Sequence, residues 1–125
     1  MPANPELPGN REGTAPLMDR ARQCVFLVSN DRETGGIWTY ALRQKGVSVM
    51  LTSSFAEAMA KWVQYPCDLV LIDVCGPDLD GIELARRLRA EVVGPILLLT
   101  PNREESHLLE ASRAGVDECI VKSAP

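Results

Sequence analysis

Apolar and polar positions along the chain alternate between two periods. "CVFLV" (24–28) is a short unbroken apolar run, the pattern of a strand covered on both faces. Ile37, Trp38, Ala41 and Leu42 then recur at helical spacing and predict one buried helix face, with Gly46 as the stop. "VSVML" (47–51) predicts a second strand. Ser54 and Glu57 have the spacing of a capping box, and the helix they open turns Ala58, Met59, Trp62 and Val63 inward before Pro66. "LVLID" (69–73) is a third strand, and Gly76-Pro77 marks the loop after it. Asp80 and Glu83 precede a third helix carrying Leu84, Ala85 and Leu88. "PILLLT" (95–100) is a fourth strand. Leu108, Leu109 and Ala111 lie on a fourth helix closed by Gly115, and "ECIVK" (118–122) is a fifth strand.

Five strands alternating with four helices through short links imply an α/β fold. The sheet is parallel, with right-handed crossovers and helices on both faces. Residues 1–20 stand apart. Four prolines and two glycines with few apolar residues between them predict a flexible tail ahead of one domain over 21–125.

Composition narrows the function. A chain of 125 residues with 46% hydrophobic and 24% charged residues fits one ordinary globular core. A net charge of −4 argues against this segment itself gripping nucleic acid or an anionic membrane. No apolar run approaches the ~20 residues of a membrane span, and the N-terminus lacks a signal-type apolar segment, so a cytoplasmic location is expected. Cys24, Cys67, Cys75 and Cys119 form no metal-binding spacing, and His107 is near none of them, so the cysteines read as reduced, with Cys24 and Cys119 as small core hydrophobes.

In an open parallel sheet, ligands meet the carboxyl ends of the strands. Three strands end in Asp73, Thr100 and Lys122. A carboxylate can attack phosphorus, an ammonium can neutralise a phosphoryl oxygen, and a hydroxyl can donate to another. The alternative is three unrelated strand ends, polar because they meet water.

At these residues the chain resembles a family. "LVLIDVCGPDLDGIELARRLR" (69–89) is similar to the phosphoacceptor segment of CheY-like response-regulator receiver domains. Aspartate ends the third strand, proline follows four residues on, and an Asp-Gly pair opens the next helix. "PILLLT" and "GVDECIVKS" resemble the family's fourth and fifth strands, and Asp73 precedes Thr100 by 27 residues and Lys122 by 49. The resemblance spans about 21–123. It implies a flavodoxin-like, doubly wound, five-stranded sheet of order 2-1-3-4-5. It also implies phosphorylation of Asp73 by a sensor histidine kinase, with Thr100 and Lys122 meeting the phosphoryl group and Mg²⁺ held beside them. The metal set implied is Asp73, the backbone carbonyl of Cys75, and the acidic pair that ends the first strand.

That pair is replaced here by Ser29 and Asn30. Neither is a carboxylate, though Asn30 offers an amide oxygen, so weakened Mg²⁺ binding is expected. Asp31 stands one residue late. It reaches the metal only through a shifted loop and otherwise caps the first helix. The family's aromatic switch position falls on Cys119, its proline after the lysine is Ser123, and Pro101 stiffens the loop after Thr100. The chain stops at Pro125, where a fifth helix would begin. A piece of a longer protein, or a gap covered by another chain, is therefore expected.

Two readings stay open, both signalling rather than enzymatic. One is a receiver that accepts phosphate on Asp73 and controls a downstream output, by the family's habit a DNA-binding one. The other is an atypical receiver that works by protein contact without phosphorylation. Self-association is expected through the face around the fourth helix and fifth strand. A third reading, a small flavodoxin-like enzyme or nucleotide binder, lacks a glycine-rich phosphate loop, because "ETGG" (33–36) lies inside a helical pattern. His107 is read as a solvated helix residue, Arg86, Arg87 and Arg89 as an exposed helix face, and both tryptophans as core.

Overall fold

A computed structural model of the chain describes residues 23–74 and 79–122. The strands are β1 (Cys24–Val28), β2 (Ser48–Thr52), β3 (Leu69–Asp73), β4 (Ile96–Thr100) and β5 (Glu118–Val121). The helices are α1 (Arg32–Gln44), α2 (Phe55–Gln64), α3 (Gly81–Arg89) and α4 (Glu105–Ala114). All strand pairings are parallel, in the order β2-β1-β3-β4-β5, as the alternation and the resemblance imply. The expected tail, the loop at Gly76-Pro77, the carbonyl of Cys75 and Ser123 lie outside the described residues. No described helix is long and apolar enough to cross a membrane.

Alternating strand residues build two apolar layers. Phe26, Val28, Val70, Ile72, Ile96 and Leu98 face the larger core with Trp62, Leu84, Leu88 and Ala111. Val25, Leu27, Leu71 and Leu99 face the smaller one, against Trp38 and Leu42 of α1. Side chains on the edge of that second face stay open to solvent. Ile120 is 43% exposed, and Ile37 and Tyr40 of α1 are 64% and 68% exposed.

Local chemistry explains most helix boundaries. Ser54 accepts from the Glu57 amide, while Glu57 reaches back to Ser53 rather than to Ser54, so the capping box closes one residue early. Asp80 caps α3 by accepting from the Ile82 and Glu83 amides. Gly81 follows because a Cβ there would lie 2.9 Å from a Leu98 methyl. Gly115 ends α4 at φ +107, where a Cβ would also strike the Arg89 stem at 2.4 Å.

Four expectations fail on contacts that periodicity does not carry. The inward stripe of α1 runs through Gly35, Trp38 and Leu42, leaving Ile37 and Ala41 outside, and Val63 and Leu109 are likewise exposed. Arg89 leaves the exposed face of Arg86 and Arg87. Its guanidinium donates to the carbonyls of Val92, Gly94 and Gly115 and pairs with Asp117, tying α3, the α3–β4 link and the α4–β5 turn together. Cys24 and Cys67 are joined as a disulfide, with Cα atoms 5.0 Å apart, instead of standing reduced. Their elements are already fastened, since Cys24 and Asp68 exchange two hydrogen bonds. His107, expected in solvent, is half-buried against Thr100.

Candidate functional site

The described residues hold four buried polar side chains, Ser29, Thr52, Asp73 and Thr100. All four sit at or just beyond the carboxyl ends of β1 to β4, on one rim. An apolar parallel sheet can bury polar groups only where they are bonded, and here each is. Thr52 donates to the Leu27 carbonyl and Ser29 to that of Asp31. Thr100 accepts from the Asn102 amide and bonds the His107 Nε2 at 3.1 Å.

Register brings the acid and the lysine together. Asp73 ends β3, and the Lys122 amide bonds the Thr100 carbonyl on the neighbouring strand. The Lys122 ammonium then reaches Asp73 Oδ1 at 2.6 Å. The carboxylate is 3% exposed and the lysine one-third exposed, so the pair is sheltered from screening on its acidic side. Asp73 Oδ2 is filled as well, because the indole N–H of Trp38 donates to it at 2.9 Å. Thr100 lies on the same rim, but its hydroxyl is bound toward α4.

The β1 corner is arranged differently. Asp31 is the N-cap residue of α1, and its carboxylate accepts from the Thr34 hydroxyl. That bond holds its pKa below the usual carboxylate range, with a smaller contribution from the charge of Lys122. Ser29, Asn30, Asp31, Thr52 and Glu57 line a cleft of about 400 Å³. Cys119, at the position of the family's aromatic, is a half-buried free thiol packed on the larger core, and burial pushes its pKa up.

These residues do not fit a Mg²⁺ ion. The cation needs several oxygen ligands in a near-octahedral shell, with one or two carboxylates free to bind it. The three described carboxylates around this corner are already held. Asp31 binds Thr34, Glu57 binds Ser53, and Asp73 binds Trp38 and Lys122. Among the described residues no three acidic, histidine or cysteine side chains group to hold a metal. Asp73 and Lys122 form an ion pair, so a cation at Asp73 would meet the Lys122 ammonium.

Trp38 is the site residue that sequence reasoning misses. Its helical spacing marks it as core, which is true of its ring, while its N–H serves the site.

Comparison with known proteins agrees with the architecture. The family described as response regulator receiver domain matches residues 25–125. The chain is 31% identical over 106 residues to the transcriptional regulatory protein ResD of Bacillus subtilis, covering 84% of this chain and 44% of that protein. It is 30% identical over 105 residues to the DNA-binding response regulator MtrA of Mycobacterium tuberculosis, covering 84% of this chain and 46% of that one. The chain thus spans less than half the length of these relatives. Among solved structures, the BeF3-activated N-terminal receiver domain of Klebsiella pneumoniae RstA superposes with a TM-score of 0.73 at 28% identity, over 82% of this chain and 87% of that one. A two-component response regulator from Clostridium difficile shares the fold, with a TM-score of 0.75 at 24% identity, over 82% and 85%. With its sheet order, its rim of Asp73, Thr100 and Lys122, and a family match over most of its length, this chain belongs to the CheY-like response regulator receiver domains of two-component systems.

Proposed function

We propose that this domain is a receiver that signals by protein contact without phosphorylation and governs an output segment of a longer protein. The observation that carries this is the state of Asp73, whose two carboxylate oxygens already hold Trp38 and Lys122. A nucleophilic carboxylate needs an accessible oxygen and a counter-cation for the incoming phosphoryl group. Here the acidic pair is neutral and the carboxylate is buried. In this reading Asp73–Lys122 is an internal ion pair that holds β3 to β5. The interaction face lies around α4 and β5, where Leu109 and Ile120 are 47% and 43% exposed, and it serves self-association. ResD and MtrA are named as a transcriptional regulatory protein and a DNA-binding response regulator, which supports a DNA-binding output and a cytoplasmic setting.

The test is exposure of the folded domain to beryllofluoride or a small phosphodonor in millimolar Mg²⁺. Unchanged mass and unchanged amide resonances are expected. An Asp73-dependent mass gain would establish the other reading, phosphoryl acceptance from a sensor histidine kinase. That reading draws on the same rim, because Lys122 and Thr100 are the groups a phosphoryl oxygen would meet.

A further inference from the structure

The indole of Trp38 is placed with unusual care. Its ring packs on the smaller core beside Val25, Leu27, Leu71 and Leu99, which fixes its plane. One turn earlier Gly35 is buried, and a Cβ there would lie 3.2 Å from a Leu51 methyl and 3.4 Å from Ser29 Cβ. That close approach of α1 to the rim is what lets Nε1 reach Asp73 Oδ2 at 2.9 Å. An indole nitrogen only donates, so it needs an acceptor, here the Asp73 carboxylate. A cation approaching the same oxygen would compete with it for the lone pairs.

We propose that Trp38 is the gate of this rim: a neutral donor that takes the carboxylate oxygen a cation would otherwise take. Ser29, Asn30 and Trp38 then form one device. The first two remove the attraction for a metal, and the third occupies the oxygen a metal would use. Trp38 acts through Asp73 and is a positioning residue. The inference rests on the phosphorylation-independent reading and goes beyond it, because that reading needs only that Asp73 stay unmodified, whatever closes it.

The test compares the wild type with W38F, S29D/N30D and the triple variant W38F/S29D/N30D, each titrated with Mg²⁺ alone and followed by amide chemical shifts. The wild type is expected to show no saturable binding. The triple variant is expected to bind about tenfold more tightly than S29D/N30D, the factor that one charge-assisted hydrogen bond supplies. Equal affinities for the double and triple variants, with a silent wild type, would overturn the gate while leaving the proposed function standing. Saturable binding by the wild type would overturn the gate, whereas the proposed function falls only to an Asp73-dependent mass gain from a phosphodonor. A second measurement removes the dependence on W38F folding. In Asp73→Ala the indole N–H resonance of Trp38 is expected to shift and exchange faster, while that of Trp62 stays in place. An unmoved Trp38 resonance would overturn the proposal.

Discussion

Two cation–carboxylate pairs brace this sheet at opposite ends, and they are built for different ends. Arg89–Asp117 lies below the strands at 3.0 Å, with the arginine 27% and the aspartate 52% exposed. Lys122–Asp73 lies on the upper rim at 2.6 Å, with the aspartate 3% exposed. The lower pair is a fastening. The planar guanidinium also binds three backbone carbonyls, and Asp117 accepts from the Ile96 amide. The upper pair seals a single buried carboxylate. Charge therefore contributes at the lower end through the number of bonds it organises, and at the upper end through the desolvation it offsets.

The sharpest way to break the comparison is at Lys122. Lys122→Met should leave the buried Asp73 carboxyl held by Trp38 alone, and should cost about 3 kcal/mol in urea unfolding. A cost below about 1 kcal/mol, the range of an exposed pair, would mean that the carboxylate is not sealed. At the lower end, Arg89→Lys keeps the charge but loses the fork, and about 2 kcal/mol should follow from carbonyls left unpaired. If lysine substituted without loss, the lower pair would be electrostatic after all. Trp38→Phe keeps most of the ring's packing and removes one bond to a charged group, so about 1.5 kcal/mol is expected from the same unfolding curves.

The smallest effect separates the pairs by pH. The Asp117 carboxyl is held below its ordinary value of 3.8, first by the Ile96 amide and then by Arg89. A depressed folded pKa contributes stability above the unfolded value and loses it as pH falls through the folded one. The loss therefore falls below about pH 4, and Asp117 is half exposed, so solvent screening keeps it under about 1 kcal/mol. Asp117→Asn should flatten that acid limb of the stability curve. An unchanged limb would show that the charge contributes nothing beyond hydrogen bonding.

How much of this was legible in the sequence follows from how local each signal is. Strands announced themselves as runs of three to five apolar residues, and Ser54, Asp80 and Gly115 punctuated helices within a few positions of their partners. Asp73, Thr100 and Lys122 were legible because each ends a strand, and topology gathers strand ends. Trp38 was not, because its partner lies 35 residues away and an indole on an inner helix face reads as packing. Arg89 hid among two exposed arginines, since its partners are carbonyls contributed by turns. His107 and the Cys24–Cys67 pair were missed for the same reason, as contacts made by the fold rather than by the segment. Ile37, Ala41 and Val63 failed differently. Their spacing suits a helix stripe, but the stripe that α1 uses is set by Gly35, where the helix comes closest to Leu51 of β2 and to Ser29.

The two tryptophans give the molecule an optical property. Trp62 is buried edge-on to Phe26, with ring centroids 5.1 Å apart, in the larger core. Trp38 is half-buried, with its N–H on an anion. Emission from the first reports core packing, and emission from the second reports the field of the Asp73 carboxylate. With Trp62 replaced by phenylalanine, the remaining tryptophan emission would come from the rim alone. Any partner or pH step that pulled Asp73 away would then be visible as a change in colour, without a label.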